Sequence, residues 1–274
     1  MMKYLFFDID GTLLSHTEGI SKSTIEALKL AKDNGHKIFI CTGRSYSEIP
    51  QLIYTFNFDG VIAAAGGYVK VGNEVIFNKI MPEHLIDNII YQLDKMDIPF
   101  MLEGVEKTYS HKDARYIYDE RNLKRKAIKD KTKYEHSAYD YRIPELFTID
   151  EYFSNRTPIS KMTLYGNGPE SYFELEQFID KDFYLLKYDI YAELISKGIS
   201  KLTGIEKVMN YLNASINETF AFGDSLNDYE MIRGANIGIA VGNASEPVKK
   251  IADFITDDIH DNGIYNAMKH YNLI

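Results

Sequence analysis

Two aspartates stand directly after the first apolar run of the chain, where their spacing could bring both carboxylates to one side. Asp8 and Asp10 follow Tyr4–Phe7, a continuous apolar run typical of a strand buried on both faces. Residues two apart in a strand point to the same side, and open α/β sheets bind ligands at the carboxyl ends of their strands. Adjacent carboxylates repel unless a cation or a proton lies between them. The pair therefore fits a metal site with one nucleophile and one acid/base, or an Asp turn in which Asp10 caps a helix.

A second acidic pair, Asp224 and Asp228, follows the apolar run 219–222. Their spacing of four positions brings the two side chains to one face if a helix has already begun. Carboxylate oxygens of this kind suit Mg²⁺, which takes one or two carboxylates from a protein and keeps several waters. Helix capping is the alternative, but two acidic strand ends in one chain favour the metal site.

Thr42, Gly43 and Arg44 follow the apolar run 38–41 and open a helical stretch. A hydroxyl, a flexible glycine and the free N–H groups of a helix start form an anion site, although capping explains the tripeptide equally well. Such a site would need a cation, for which Lys197 and Lys201 are the candidates. A lone lysine is nearly always a surface residue.

The composition is that of a globular protein, with 45% apolar and 26% charged residues among 274. The 31 Lys and Arg against 40 Asp and Glu give a net charge of −9, which argues against binding nucleic acid or anionic membranes. Cys41 is the single cysteine, so no intramolecular disulfide can form. The first residues reach a carboxylate too early for a signal peptide, and no apolar run approaches the roughly 18 residues of a membrane span. We therefore expect a cytoplasmic protein.

Apolar runs alternate with helical stretches at both ends of the chain, which predicts βαβ units and a doubly wound, Rossmann-like parallel sheet. The middle differs, because several of its strand-like pieces follow one another without a helical crossover. Adjacent strands of that kind pair antiparallel, so we predict an inserted α+β domain. The predicted boundaries are 1–82 and 191–274 for the core and 83–190 for the insert.

The predicted strands and helices of the insert are a helix at Glu83–Lys95, strands at 99–103, 107–110 and 161–165, a helix at 170–179, and strands at 183–186 and 189–194. Within the insert, 121–133 carries seven basic residues against one acidic residue. We interpret this run as a solvated face; a lip that attracts phosphate is the alternative.

Four segments in this order make the sequence resemble the haloacid dehalogenase superfamily, specifically its Cof-type phosphatases with a large α/β cap. The family motifs match at 8–12, 39–44, 193–201 and 223–228, and the closing segment matches at 239–244 and 252–253. The resemblance covers nearly the whole chain, including the position of the insert.

The resemblance implies a role for each acidic residue. Asp8 would be the nucleophile and a Mg²⁺ ligand. Asp10 would protonate the leaving group, later activate water, and give its backbone carbonyl to the metal. Asp224 would be the third protein ligand, and Asp228 would support the metal site.

The resemblance also implies which residues hold the phosphoryl group, namely Thr42, Gly43, Asn227 and Lys201, and it favours Lys201 over Lys197 as the family lysine. Arg44, in the same motif as Thr42 and Gly43, counts as a further substrate-binding residue.

Three positions depart from the family pattern. Ala65 stands where Asn is common, so one polar contact near the substrate is expected to be absent. Leu202 stands where Gly is usual and could alter the turn that aims Lys201. Val241 stands where Met is frequent, a change expected to be neutral.

The function implied by the resemblance is Mg²⁺-dependent hydrolysis of small phosphate esters, above all sugar phosphates, through an aspartyl-phosphate. One alternative is a phosphotransferase or mutase on the same fold. The other is a non-catalytic phosphate-binding regulatory protein, although such a receiver would not need a general acid two residues after its nucleophile. Neither nucleic acid nor membrane is expected as a partner, and the sequence carries no signal for the oligomeric state.

Overall fold

A computed structural model of the chain describes residues 1–15, 19–111, 114, 116–117, 120, 145–187 and 191–274. The predicted basic run 121–133 lies outside the described residues. Within the described ranges, no helix is long and apolar enough to cross a membrane.

The larger of two sheets is built by both ends of the chain. Its strands are β1 (Tyr4–Phe7), β2 (Lys37–Cys41), β3 (Gly60–Ala63), β4 (Tyr68–Val71), β5 (Glu74–Asn78), β12 (Thr219–Gly223), β13 (Ile237–Ala240) and β14 (Phe254–Ile255). They are arranged in the order β14-β13-β12-β1-β2-β3-β4-β5. All neighbours from β14 to β3 pair in parallel, which confirms the predicted parallel sheet. The sequence did not predict the antiparallel hairpin β4–β5 that extends one edge.

The helices of the described residues alternate with these strands and also cover the second sheet. They are α1 (Lys22–Asp33), α2 (Gln51–Tyr54), α3 (Glu83–Lys95), α4 (Ile149–Ser154), α5 (Lys201–Tyr211), α6 (Tyr229–Gly234), α7 (Glu246–Lys249) and α8 (Gly263–His270). Helix α1 packs against α8, and α5 packs against α6. The helix expected after Arg44 is replaced by a 3₁₀ turn at Tyr46–Glu48 and the short α2, which Pro50 precedes.

The second sheet, which we call the cap sheet, contains β6 (Phe100–Gly104), β7 (Thr108–Ser110), β8 (Leu146–Thr148), β9 (Ile159–Leu164), β10 (Phe183–Lys187) and β11 (Ala192–Ser196). Its order is β10-β11-β9-β6-β7-β8, and every pairing except β7–β8 is antiparallel. Helix α3 packs its apolar face on this sheet in a separate core. The expected inserted α+β architecture is therefore confirmed.

Two details of the insert differ from the prediction. Strand β11 pairs with β9 and β10 and ends at Ser196, so the cap sheet continues past the predicted boundary at residue 190. The predicted helix 170–179 is wrong, because the segment forms two 3₁₀ turns at Pro169–Tyr172 and Glu176–Phe178. The Tyr172 hydroxyl is bonded to the backbone of Gly166 and Leu164, and this tertiary anchor outweighs the helical pattern.

The strands that lead to the polar end of the larger sheet are buried along their whole length. All four residues of β1 are buried, and ring stacking joins β1 to both neighbours. Phe6 lies 4.9 Å from Phe39 on β2, and Phe7 lies 4.5 Å from Phe222 on β12, measured between ring centroids. These contacts fix the strand ends from which the polar loops begin.

Helix α5 approaches the sheet closely because it has a glycine at its contact point. A Cβ on Gly204 would lie 2.4 Å from Cγ2 of Ile62 on β3. The first residue of this helix is Lys201, so the close approach also sets how far Lys201 lies from the strand ends.

Gly204→Ala is expected to destabilise the protein even though alanine is the better helix former. The propensity gain of about 1 kcal/mol is outweighed by overpacking of up to about 3 kcal/mol, so the free energy of unfolding should fall by about 1–2 kcal/mol in urea titration. Asn210→Ala, at an exposed position of the same helix, is the control and should be neutral or slightly stabilising. Equal effects of the two substitutions would contradict the packing argument.

Candidate active site

Three carboxylates meet at the carboxyl ends of β1 and β12. Asp8, Asp224 and Asp228 each offer an oxygen atom, and these atoms lie within 4.8 Å of one another. The two strands are neighbours, and the Asp8 amide continues their pairing by donating to Phe222 O at 3.0 Å. The parallel sheet thus brings together two acidic segments that are far apart in sequence.

Lys201 lies among these carboxylates and is fully buried. Its Nζ donates to Asp8 Oδ1 at 2.6 Å and to Asp228 Oδ1 at 2.5 Å. Ser200 caps the helix in front of it and exchanges hydrogen bonds with Thr203, which fixes the first turn. Lys197, the other lysine considered from sequence, is exposed.

Asp228 ties its own loop together as well as binding Lys201. Its Oδ2 accepts hydrogen bonds from the backbone amides of Asp224 and Ser225, each at 3.0 Å. Asp228 has no solvent-exposed surface. It therefore supports the position of Asp224 from the interior.

The buried carboxylates carry more negative charge than Lys201 can balance. Burial raises the pKa of Asp8 well above its usual range; Lys201 opposes this, and the neighbouring carboxylates add to it. Burial, followed by repulsion from Asp228, raises the pKa of Asp224 to about 7. Burial alone would lower the pKa of Lys201, but Asp228 and Asp8 raise it, so the lysine is charged. Three carboxylates with one ammonium leave a net charge of −2 when all are ionised.

This charge and this donor set fit a hard divalent cation. Oxygen ligands from carboxylates are what Mg²⁺ prefers, and two positive charges would balance the cluster. The loop after β1 also closes tightly on the same group, since Thr12 Oγ1 donates to Asp224 Oδ1 at 2.8 Å. Gly11 has a φ of +88°, and a Cβ there would lie 2.5 Å from Asp224 Oδ2, so only glycine fits.

Asp10 is paired with Arg44 and is not one of the three carboxylates of the cluster. The guanidinium donates from Nε and Nη2 to the two Asp10 oxygens, both at 2.6 Å, and from Nη1 to Glu48 O at 3.1 Å. Strand β1 ends at Phe7, so the strand alternation expected to align Asp10 with Asp8 does not extend that far. The Asp10 carboxylate is therefore paired with Arg44, whereas the Asp8 carboxylate contacts Lys201.

Thr42, Gly43 and Asn227 line the meeting point of the loops after β2 and β12. The Thr42 Oγ1 accepts a bond from the Arg44 amide at 3.2 Å, and a Cβ on Gly43 would lie 3.0 Å from Asn227 Nδ2. The Asn227 Oδ1 accepts from Ser225 Oγ at 2.8 Å. Three of the four residues predicted to hold the phosphoryl group thus lie together at the ends of β2 and β12.

The three positions that depart from the family pattern, Ala65, Leu202 and Val241, lie in segments next to this site. Ala65 donates its amide to Thr42 O at 3.0 Å while adopting a φ of 52°, a region in which Asn is favoured over Ala. Leu202 lies in the first turn of α5 and packs against Gly234 of α6. Helix α5 nevertheless aims Lys201 at Asp8, so Leu202 does not displace it. Val241 is buried in the apolar core.

The pairing of Arg44 with Asp10 and the bond from Thr12 to Asp224 were not predicted from the sequence. Neither was the contact of Asn243, whose Nδ2 donates to Gly11 O at 2.8 Å. Thr12 lies in the motif at 8–12, and a hydroxyl next to an acidic strand end is a signal that could have identified it. The other contacts join separate loops and leave no local pattern.

Lys201→Met should destabilise the protein by about 3–5 kcal/mol in metal-free buffer, because two buried carboxylates lose their cation. Chemical denaturation measures the loss. Lys197→Met is the matched control, since that lysine is exposed and should change stability by less than about 0.5 kcal/mol. Equal stability of the two variants would show that the Lys201 charge does not hold the cluster together.

Known proteins match nearly all of this chain. The model of the haloacid dehalogenase-like hydrolase family matches residues 5–268. YkrA of Bacillus subtilis (strain 168) is 30% identical over 275 residues, covering 99% of this chain and 98% of YkrA. The 5-amino-6-(5-phospho-D-ribitylamino)uracil phosphatase YcsE of the same organism is 25% identical over 274 residues, covering 99% of this chain and 96% of YcsE.

Solved structures agree with these matches. The HAD subclass IIB sugar phosphatase BT4131 has 31% sequence identity and a TM-score of 0.79, covering 99% of this chain and 100% of that protein. The chain therefore belongs to the haloacid dehalogenase-like hydrolase family, as an enzyme of phosphatase type.

Proposed function

We propose that the protein is a Mg²⁺-dependent phosphomonoesterase that hydrolyses small phosphorylated metabolites, with sugar phosphates as its substrates, through an aspartyl-phosphate on Asp8. The observation that carries this proposal is the buried Asp8 carboxylate, which contacts Lys201 and lies among two further carboxylates. A sugar phosphatase 31% identical to this chain and a phosphatase of a phosphoribitylamino compound 25% identical to it support the substrate class.

In the first step, an oxygen of Asp8 attacks phosphorus and the bond between phosphorus and the leaving-group oxygen breaks. The electron pair goes to the leaving oxygen, which takes a proton from Asp10. Asp10 would enter this step as the carboxylic acid, and Arg44 would hold its orientation through two hydrogen bonds.

In the second step, Asp10 accepts a proton from water, whose oxygen attacks phosphorus. The bond to Asp8 breaks, releasing inorganic phosphate and the free carboxylate. The bidentate contact with Arg44 orients the Asp10 carboxylate for this step.

Lys201, Thr42, Gly43 and Asn227 would hold the phosphoryl group during both steps. Lys201 brings the point charge, and the loop residues bring a hydroxyl, a close backbone approach and an amide. Such reactions need little beyond positioning and electrostatic stabilisation. Asp8, Asp224 and the Asp10 carbonyl would hold Mg²⁺, with Asp228 in support; when bound, the ion neutralises the phosphate and carboxylate charges as they meet.

Asp8→Asn should abolish phosphate release while leaving the fold intact, because it keeps the shape of the side chain and removes the attacking oxygen's charge. The assay measures inorganic phosphate from a panel of sugar phosphates, nucleotides and p-nitrophenyl phosphate, with Mg²⁺ or with EDTA. Asp33→Asn, an exposed carboxylate on α1, is the control and should behave as the wild type.

Each outcome of this assay separates the candidate functions. Mg²⁺-dependent release that disappears in Asp8→Asn supports the hydrolase. If phosphate is instead transferred to an added sugar and no free phosphate appears, the protein is a phosphotransferase and not a hydrolase. No release and no transfer by the folded wild type would overturn the proposal and favour a binding role.

Mg²⁺ should raise the melting temperature of the wild type, since an ion at about 100 times its dissociation constant stabilises the folded state by about 2.7 kcal/mol. Asp224→Asn should lose most of this shift. Without Mg²⁺ the same variant should melt at or above the wild-type temperature, because the substitution relieves repulsion with Asp228. A full Mg²⁺ shift in Asp224→Asn would exclude this carboxylate as a ligand.

A further inference from the structure

The turn that follows β13, residues 241–245, contacts both acidic loops of the site. One contact is a backbone bond, in which the Ser245 amide donates to Asp224 O at 2.8 Å. The other comes from a side chain, because Asn243 Nδ2 donates to Gly11 O at 2.8 Å. The turn therefore joins the loop after β1 to the loop after β12.

These contacts belong to a closed ring of hydrogen bonds. Thr12, the neighbour of Gly11, donates from Oγ1 to Asp224 Oδ1 at 2.8 Å. The ring thus passes from the turn to Gly11, along the chain to Thr12, across to Asp224, and back to the turn through Ser245. A substitution of Asn243 opens this ring at a point outside both acidic loops.

The Asn243 side chain is also held from its other end. Its Oδ1 accepts a hydrogen bond from the Ile259 amide at 3.1 Å. The backbone fastens the turn to the same segment, since the Gly242 amide donates to Asp257 O at 3.0 Å and a Cβ on Gly242 would lie 2.5 Å from Asp258 N. One orientation of the Asn243 amide satisfies both its donor and its acceptor partner, so its nitrogen is aimed at Gly11.

The peptide that Asn243 contacts lies next to groups proposed to hold Mg²⁺. Gly11 directly follows Asp10, whose carbonyl would bind the ion, and it has a φ of +88°. Glycine has no Cβ to restrict its backbone angles, so an outside contact is needed to keep this peptide in one orientation. Residues that orient metal ligands without binding the metal change the affinity for it by about 10- to 100-fold when they are replaced.

We propose that Asn243 is a positioning residue, whose amide holds the 8–12 loop against Asp224 and thereby pre-forms the Mg²⁺ site. The roles implied by the family resemblance fall on other residues. The inference rests on the Mg²⁺ site of the function proposed above. The ring itself consists of hydrogen bonds between protein groups, so it can also be measured in metal-free protein.

The test measures the dissociation constant of Mg²⁺ by isothermal titration calorimetry without substrate. Asn243→Asp keeps the size of the side chain and the acceptor for the Ile259 amide, but it replaces the donor to Gly11 O by an oxygen. We expect Asn243→Asp and Asn243→Ala to weaken Mg²⁺ binding about tenfold. An added negative charge would by itself strengthen the binding of a cation, so the loss expected in Asn243→Asp has the opposite sign to a charge effect.

Asn266→Ala is the matched control. Asn266 on α8 holds the same segment as Asn243, but its Nδ2 donates to Asp257 Oδ2 at 2.7 Å instead of to Gly11. Asn266→Ala should bind Mg²⁺ as the wild type does. Wild-type affinity in either Asn243 variant, or an equal loss in Asn266→Ala, would overturn the proposal.

The dependence of activity on Mg²⁺ separates positioning from a general loss of structure. Asn243 is exposed, so its substitutions leave no cavity and should lower the melting temperature in EDTA by less than about 4 °C. The Mg²⁺ concentration for half-maximal phosphate release should rise about tenfold, while the rate at saturating Mg²⁺ should stay within about threefold of the wild type. A lower rate at every Mg²⁺ concentration, with an unchanged half-maximal concentration, would indicate a merely structural role and contradict the proposal.

Hydrogen–deuterium exchange in EDTA tests the ring without metal or turnover. Amides of 9–14 should exchange faster in both Asn243 variants than in the wild type, because the Gly11 peptide has lost its donor. The Ile259 amide should exchange faster only in Asn243→Ala, which also lacks the acceptor oxygen. Unchanged exchange of 9–14 in both variants would refute the positioning role. A wild type that binds no Mg²⁺ would refute the metal site of the proposed function, while exchange would still decide whether Asn243 holds the loop.

Discussion

Three carboxylates buried around one ammonium impose the main constraint on this molecule. Charged groups are costly to remove from water unless partners of opposite charge and hydrogen-bond donors surround them. The larger sheet meets this requirement by ending β1 and β12 side by side and by aiming the first residue of α5 between them. Gly11 and Gly204 allow the close approaches that this geometry needs. The fold of the core is thus organised around the balance of charge among these four groups.

Separate partners keep the two motif aspartates chemically distinct. Asp8 lies in the interior beside Lys201, whereas Asp10 lies in a bidentate pair with Arg44. Distinct partners give the two carboxyl groups different environments, which the roles proposed for them, nucleophile and acid/base, require. The different roles expected for Asp8 and Asp10 therefore have a physical basis, because each aspartate contacts a different cation.

The sequence predicted those parts of the molecule whose signals are local. Apolar runs that end in aspartate mark the strand ends, and their parallel pairing brings the acidic residues together. Lys201 was identified only through the family resemblance, because nothing local separates it from the exposed Lys197. The contact of Arg44 with Asp10 joins loops distant in sequence, so no periodicity reports it. Helix 170–179 was mispredicted because a buried tyrosine hydroxyl anchors that segment to the backbone.

The cap sheet approaches both cationic residues of the site, but by different routes. Strand β11 ends at Ser196, only a few residues before Lys201. Contacts within the core fix that connection. Ser200 caps α5 and packs closely on Gly66, since a Cβ on Gly66 would lie 2.1 Å from Ser200 O. Arg44, by contrast, belongs to a segment held by hydrogen bonds to the cap. A movement of the cap would therefore leave Asp8 and Lys201 in place and act on Asp10, so the proposed acid–base role is the one that would respond to the cap.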